Sequence, residues 1–216
     1  MAEYTCYDLI KGKKVAGLLL EAEAIRLSPK EPFTWASGWK SPIYCDNRVS
    51  LSYPRIRTEI KLLLVEAIKS RYPQVEAIAG VATAGIPQGA LVAEEMGLPF
   101  IYVRSKSKGH GLTNQIEGKV IKEQKVVVIE DLVSTGGSSL AAVTALQNAA
   151  IKVLGMASIF TYGFPLAERN FADSDVSLVY LSEYSLLLQE ALSQKIISNS
   201  TLDALSTWRA DPSSWG

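Results

Sequence analysis

The spacing of apolar positions changes along the chain, and each change marks an element. Over residues 55–71, Ile56, Ile60, Leu63, Leu64, Ala67 and Ile68 fall on one helical face, with Arg57, Glu59, Lys61, Glu66 and Lys69 on the other. Pro54 suits the first turn of that helix and Pro73 stops it. Residues 76–82 read as a strand ending in Thr83-Ala84-Gly85, and residues 86–96 as a helix closed by Gly97. Strands follow at 99–103 and 126–129, then a helix over 137–149, strands at 152–160 and 176–181, and helices at 182–192 and 200–207. Strands alternating with helices predict an α/β fold with a central, mostly parallel sheet, right-handed crossovers and flanking helices. Upstream, residues 4–23 carry Leu9, Ile10, Val15, Leu18, Leu19 and Leu20 among charges, which predicts an amphipathic helix with Gly12 and Gly17 as possible breaks. Short β-type segments at 25–27, 33–35 and 43–45, separated by Ser28-Pro29 and Ser37-Gly38, predict a small antiparallel α+β hood. The expected organisation is an N-terminal helix and hood over residues 1–50, then one α/β core over 51–216.

Composition narrows the class. At 216 residues, 48% of them apolar, the chain can bury one sizeable core. Lys plus Arg and Asp plus Glu number 22 each, so nothing in the net charge points to nucleic acid or an anionic membrane, and a polyanionic ligand would need a local basic cluster. Two cysteines, Cys6 and Cys45, make no disulfide framework, which favours a reducing cytoplasm. Lys11, Lys13 and Lys14 interrupt the apolar character of the N-terminus, so neither a signal peptide nor a membrane span is expected.

The chemistry concentrates at residues 126–139. Val126, Val127, Val128 and Ile129 form a β-branched run suited to a strand buried on both faces. Glu130 and Asp131 follow, then Leu132 and Val133, then the small-residue run Ser134, Thr135, Gly136, Gly137, Ser138 and Ser139 entering a helix. Such a loop offers backbone N–H groups, hydroxyls and the positive end of a helix dipole to a phosphate. Carboxylates beside a phosphate repel it unless they bind sugar hydroxyls or a metal. A ribose satisfies both halves, with its 2- and 3-hydroxyls on the acids and its 5-phosphate on the loop.

A second polar stretch lies between the strands at 99–103 and 126–129, with little apolar pattern. Arg104, Lys106, Lys108 and His110, the single histidine, alternate there with small residues. A flexible cationic loop at about 104–118 suits a ligand with several phosphate charges, and its closure would exclude water.

These segments resemble a known family. The acidic strand and glycine loop are similar to the phosphoribosyl pyrophosphate (PRPP) motif of type I phosphoribosyltransferases. Within that group, the Arg-x-x-x-Lys-x-His-Gly loop from Arg104, followed by Asn-Gln-Ile-Glu-Gly, resembles the catalytic loop of orotate phosphoribosyltransferases. Residues 33–44, Phe-Thr-x-x-Ser-Gly-x-x-Ser-Pro-x-Tyr, look like that family's base-side segment, and residues 80–87 like its pyrophosphate-side turn. The resemblance implies the type I phosphoribosyltransferase fold, transfer of the phosphoribosyl group from PRPP to orotate in UMP biosynthesis, and Mg²⁺ carried in with PRPP. It implies catalytic roles for Arg104, Lys108, His110 and Asp131. PRPP contacts would come from these, from Glu130 and from residues 132–138, with Thr83, Ala84 and Lys106 on the pyrophosphate side. Orotate would meet Ser134, Tyr44, Ser37 and Lys40. No direct protein ligand to the metal is implied, only Asp131 through water. A homodimer sharing the basic loop between subunits is also implied.

Several positions depart from the better-known branch. Ala36, Ala84 and Ser105 stand where that branch has lysines, and Thr161-Tyr162 where it has an orotate-reading arginine; Lys40 and Lys106 are the candidates to supply the displaced charge. Two other readings share part of the pattern: a purine or uracil phosphoribosyltransferase, and a regulator that senses PRPP. The first has no reason to carry the segment at 33–44, and the second is expected to bring a basic nucleic-acid surface, which is absent from the sequence.

Overall fold

The computed structural model describes residues 2–28, 31–34, 40–105 and 115–212. The chain begins with β1 (Tyr4–Cys6) and α1 (Leu9–Glu21), followed by the hood strands β2 (Ile25–Leu27), β3 (Phe33–Thr34), β4 (Lys40–Ser41) and β5 (Ile43–Cys45). A 3-10 turn (Asn47–Ser52) leads into α2 (Pro54–Arg71), β6 (Ala77–Val81), α3 (Gly85–Met96), β7 (Phe100–Val103) and β8 (Ile116–Glu117). The remainder is β9 (Lys125–Val133), α4 (Gly137–Asn148), β10 (Lys152–Thr161), α5 (Pro165–Asp173), β11 (Leu178–Glu183), α6 (Tyr184–Ser193) and α7 (Asn199–Ala210).

One seven-stranded sheet runs in the order β1-β11-β10-β9-β6-β7-β8. Every neighbouring pair in it is parallel except β7 with β8. Its centre explains the apolar run in β9. Val127 and Ile129 face a core shared with α1, α2 and α6, while Val126 and Val128 face a second core shared with α4 and α5. A strand buried on both faces has no polar side to alternate with. The hood consists of two antiparallel pairs, β2 with β5 and β3 with β4. Arg26 lies over the rings of Phe33 and Tyr44, 5.5 and 5.2 Å from their centroids, and ties the pairs together.

Several elements differ from the sequence expectation. The helix expected over 4–23 starts only at Leu9, because Asp8 caps it by accepting from the Lys11 N–H at 2.9 Å, and residues 4–6 pair instead with β11. Neither Gly12 nor Gly17 breaks it; burial of Val15, Ala16, Leu18, Leu19 and Leu20 outweighs the roughly 1 kcal/mol cost of a helical glycine. The strand expected at 126–129 continues to Val133, since β10 supplies a ladder partner as far as Val133↔Thr161. Glu130 and Asp131 therefore lie within the strand. Helix α5 was not expected, because it is only nine residues long and buries only Ala167 and Phe171. The basic loop's far end also differs: β8 pairs with β7 through Tyr102↔Glu117 and Val103↔Ile116, so residues 116–117 are held in the sheet.

Candidate active site

The cleft follows from topology. From β6 the chain steps outward through α3 to β7, then returns to the other side of β6 and steps the opposite way through β9, β10 and β11. Ligands in such sheets sit outside the carboxyl ends of the strands where the direction reverses. Here β6 pairs with β9 only as far as Gly80↔Ile129, so residues 130–133 of β9 are bordered by β10 on one side and by open space on the other.

That space is a cleft of about 280 Å³ lined by Cys45, Asp46, Arg48, Val81, Ala82, Thr83, Ala84, Glu130, Asp131, Leu132 and Ser138. A smaller recess of about 80 Å³ shares Val81, Ala82 and Ser138 with it and extends to Arg104, Ser105 and Gln115. The Ala82–Thr83 peptide in the floor is cis. Gly85 brings the start of α3 against β9, where a Cβ would stand 2.5 Å from the Ile129 carbonyl oxygen.

The acids are held by burial. Glu130 is 6% exposed and accepts from Ser139 Oγ at 3.0 Å and from the Asp131 N–H at 3.2 Å. Burial, then the neighbouring Asp131 charge, pushes the Glu130 carboxyl well above the usual carboxylate range. Asp131 is raised as well, chiefly by burial, with its hydrogen bond to Glu130 working the other way. Two adjacent carboxyls in this state suit partners that donate hydrogen bonds or bring positive charge.

Beyond the acids, Gly136 takes a left-handed φ of 83°, and a Cβ there would meet Phe171 Cε2 at 2.8 Å. Asn170 Nδ2 donates to the Thr135 carbonyl oxygen at 2.9 Å and fixes the loop from α5. Helix α4 has no side-chain cap at its N-terminus. Its first-turn N–H groups thus lack a side-chain acceptor, and an anion would satisfy them.

On the cationic side, the Arg104 N–H donates to the Gln115 carbonyl oxygen at 2.9 Å, and Gln115 Nε2 donates back to the Arg104 carbonyl oxygen at 2.9 Å. Arg104 Nη1 also reaches Glu117 Oε1 at 3.4 Å. Lys106, Lys108 and His110 lie outside the described residues, as does Ser37.

Curated relatives and solved structures agree on the assignment. Residues 51–179 match the family model for the phosphoribosyl transferase domain. The orotate phosphoribosyltransferase of Cytophaga hutchinsonii is 56% identical over 203 residues, which is 94% of this chain and 97% of that protein. The chain belongs to the orotate phosphoribosyltransferase family. Among solved structures, UMP synthase from Leishmania donovani superposes with a TM-score of 0.79 at 25% identity, over 93% of this chain and 43% of that one. The orotate phosphoribosyltransferase of Aeropyrum pernix gives 0.74 at 28% identity, over 83% of this chain and 98% of that one.

In orotate phosphoribosyltransferase terms, the structure brings Thr83, Ala84, Glu130, Asp131, Leu132 and Ser138 together in one cleft, with Arg104 in the adjoining recess. It places Tyr44 and Lys40 on the hood, outside that lining: Tyr44 is 37% exposed with its ring 5.5 Å from Phe33, and Lys40 Nζ donates to Thr34 Oγ1 at 2.9 Å. The Thr161-Tyr162 pair, where the resemblance led to an expected arginine, is directed into the core. Tyr162 is 3% exposed and packs on Phe164 and Trp208. Sequence reasoning missed Asp46, Asn47 and Arg48, which line or support the cleft from the hood–core connection. No motif marks them; the only available signal was a polar cluster directly after a hood strand.

Among the described residues, no helix is long and apolar enough to cross a membrane.

Proposed function

We propose that this chain transfers the phosphoribosyl group of PRPP to N1 of orotate, giving orotidine 5'-phosphate and pyrophosphate in the route to UMP. The observation that carries the reading is the Glu130–Asp131 pair, which faces the Thr83-Ala84 turn across one cleft beside the uncapped start of α4. Cleavage of the ribose–pyrophosphate bond develops positive charge on the sugar and negative charge on the leaving group, and only contacts that strengthen with that separation raise the rate. Glu130 and Asp131 hold the 2- and 3-hydroxyls and lie beside the developing cation. The 134–138 loop and the α4 N–H groups anchor the 5-phosphate, and Ser134 also borders the base. Tyr44, Ser37 and Lys40 cover the base from the hood. Arg104, Lys106, Lys108 and His110 take the pyrophosphate side with Thr83 and Ala84.

Magnesium ion suits the carboxylate oxygens of Asp46, Glu130 and Asp131 that line the cleft, hard donors of the kind it prefers. The cation would be carried on PRPP with Asp131 reached through water, and when bound it supplies neutralisation of pyrophosphate charge. We also propose a cytoplasmic homodimer in which the 104–111 loop serves the neighbouring subunit.

The deciding experiment follows orotate absorbance with PRPP and Mg²⁺, beside uracil, hypoxanthine and adenine, with and without EDTA. Orotate consumption that requires both PRPP and the metal is expected. Turnover of another base with orotate untouched would overturn the assignment.

A further inference from the structure

We propose that Arg48 binds the pyrophosphate end of PRPP, supplying from the hood–core connection the positive charge that the pyrophosphate-side turn lacks at Ala84. The inference rests on the reaction proposed above for the same cleft. Its first support is position: Arg48 and Ala84 line one cleft together with Thr83, Glu130 and Asp131. Among the described residues lining it, Arg48 is the single cation, set against Asp46, Glu130 and Asp131. A ligand carrying a pyrophosphate adds further negative charge, so a cation on this wall is where the electrostatics most require one.

The second support is that the backbone beneath Arg48 is built in. Asn47 is 1% exposed, and its Nδ2 donates to the Asp131 carbonyl oxygen at 2.7 Å, which ties this turn to the acidic strand. Ser50 Oγ donates to the Asn47 carbonyl oxygen at 2.6 Å, and the Asp46 N–H donates to the Ala24 carbonyl oxygen at 2.7 Å. The Arg48 N–H donates to Asp46 Oδ1 at 3.1 Å.

The third support is the orientation of the guanidinium. Nε and Nη2 donate to the two oxygens of Asp46 at 2.6 and 2.8 Å. This pairing holds the Asp46 carboxyl below the usual carboxylate range and leaves the Nη1 edge outside the pair. The side chain is 57% exposed, so the pair is solvent-screened and can admit a phosphate oxygen at little cost. An arginine so fixed presents its remaining N–H groups in the planar geometry that phosphate oxygens accept. Of the two sequence candidates for the displaced charge, Lys40 is instead engaged with Thr34 on the hood, and Lys106 lies outside the described residues.

The test is Arg48→Ala, assayed for binding and turnover. PRPP affinity and the KM for pyrophosphate in the reverse reaction are expected to worsen by about 10-fold or more, the usual size for a lost charged hydrogen bond. Affinity for ribose 5-phosphate, which has no pyrophosphate, and the KM for orotate should stay within about twofold. Arg48→Lys should recover part of the loss, because it restores charge without the fork. Weakening of orotate alone would move Arg48 to the base side and overturn the proposal. Equal weakening of PRPP and ribose 5-phosphate would make it a support for the fold. If Arg48→Ala does not fold, Arg48→Gln, which keeps most of the stem, carries the same comparison. Should the unmodified protein bind PRPP yet leave orotate unconsumed, the reaction assignment fails, while the PRPP and ribose 5-phosphate affinities still decide the role of Arg48.

Discussion

The two walls of the cleft are built differently. The acidic wall is interior: Glu130 is nearly inaccessible, Asp131 follows it on a strand laddered to β10, and α5 braces the loop beyond through Phe171 and Asn170. The cationic wall is at the surface: Arg48 and Arg104 are partly exposed, and each is engaged by a nearby carboxylate, Asp46 or Glu117. Burial raises the proton affinity of the acids, while exposure keeps the arginines' pairs weak and exchangeable. In the proposed reaction the ribose and its 5-phosphate would meet the buried, braced wall, and the pyrophosphate would meet groups that can change partners. Rigidity lies where bond orientation matters, and exchangeability where charge leaves with the product.

Breaking the acidic wall should have the largest effect. Asp131→Asn is expected to lower kcat/KM by about 10³-fold with the fold retained, since it removes a charge beside the developing ribose cation; steady-state assays with circular dichroism check both parts. Lys108→Ala should lower kcat by about 10²-fold or more if the lysine contacts the leaving group in the transition state, whereas a change confined to KM makes it a binding residue. Mixing these two inactive variants also tests the shared loop: random subunit exchange in a dimer regenerates one intact site per hybrid and about a quarter of the parent activity, against none if each loop serves its own subunit.

Smaller effects concern the wall's construction. Gly136→Ala combines a left-handed φ with a Cβ 2.8 Å from Phe171. A destabilisation of roughly 2–3 kcal/mol, or about 5–10 °C in Tm, is expected by calorimetry. The acid pair makes a pH-dependent prediction. Unfolded Glu and Asp titrate near 4.3 and 3.9, and both folded carboxyls are raised, so the ligand-free folded state holds more protons and loses stability as pH rises from about 4 through the raised pKa values. Glu130→Gln should remove part of that loss, raising Tm by roughly 2–4 °C at pH 8 and by little at pH 4, while activity falls. On the cationic wall, Glu117→Gln should change stability by less than about 0.5 kcal/mol and tighten PRPP binding about twofold by releasing Arg104; a weaker KM for PRPP would show that Glu117 positions the arginine instead.

Legibility followed the length of the pattern. Helix α2 and the central parallel strands β6, β7, β9 and β10 could be read because each carries a sustained period or an unbroken apolar run. Helix α5 and strand β1 could not, since the first buries two apolar side chains and the second has three residues whose pairing partner lies at the far end of the chain. The glycine loop and the acids were legible as chemistry, because the small residues, the paired carboxylates and the preceding strand are contiguous. Their placement within the strand was not, because it depends on how far β10 runs alongside.

By itself, the sequence determined the α/β class, the motif at 126–139, the basic character of the 104–110 segment and the family to which these belong. Those features are local, so their chemistry is written in neighbouring residues. The tertiary structure decided which groups face one another across the cleft: that β6 stops short of β9, that Tyr162 turns into the aromatic core, and that the Asp46–Arg48 pair arrives beside Ala84. Such proximities are set by strand order and packing between segments distant in the chain, and no local spacing encodes them.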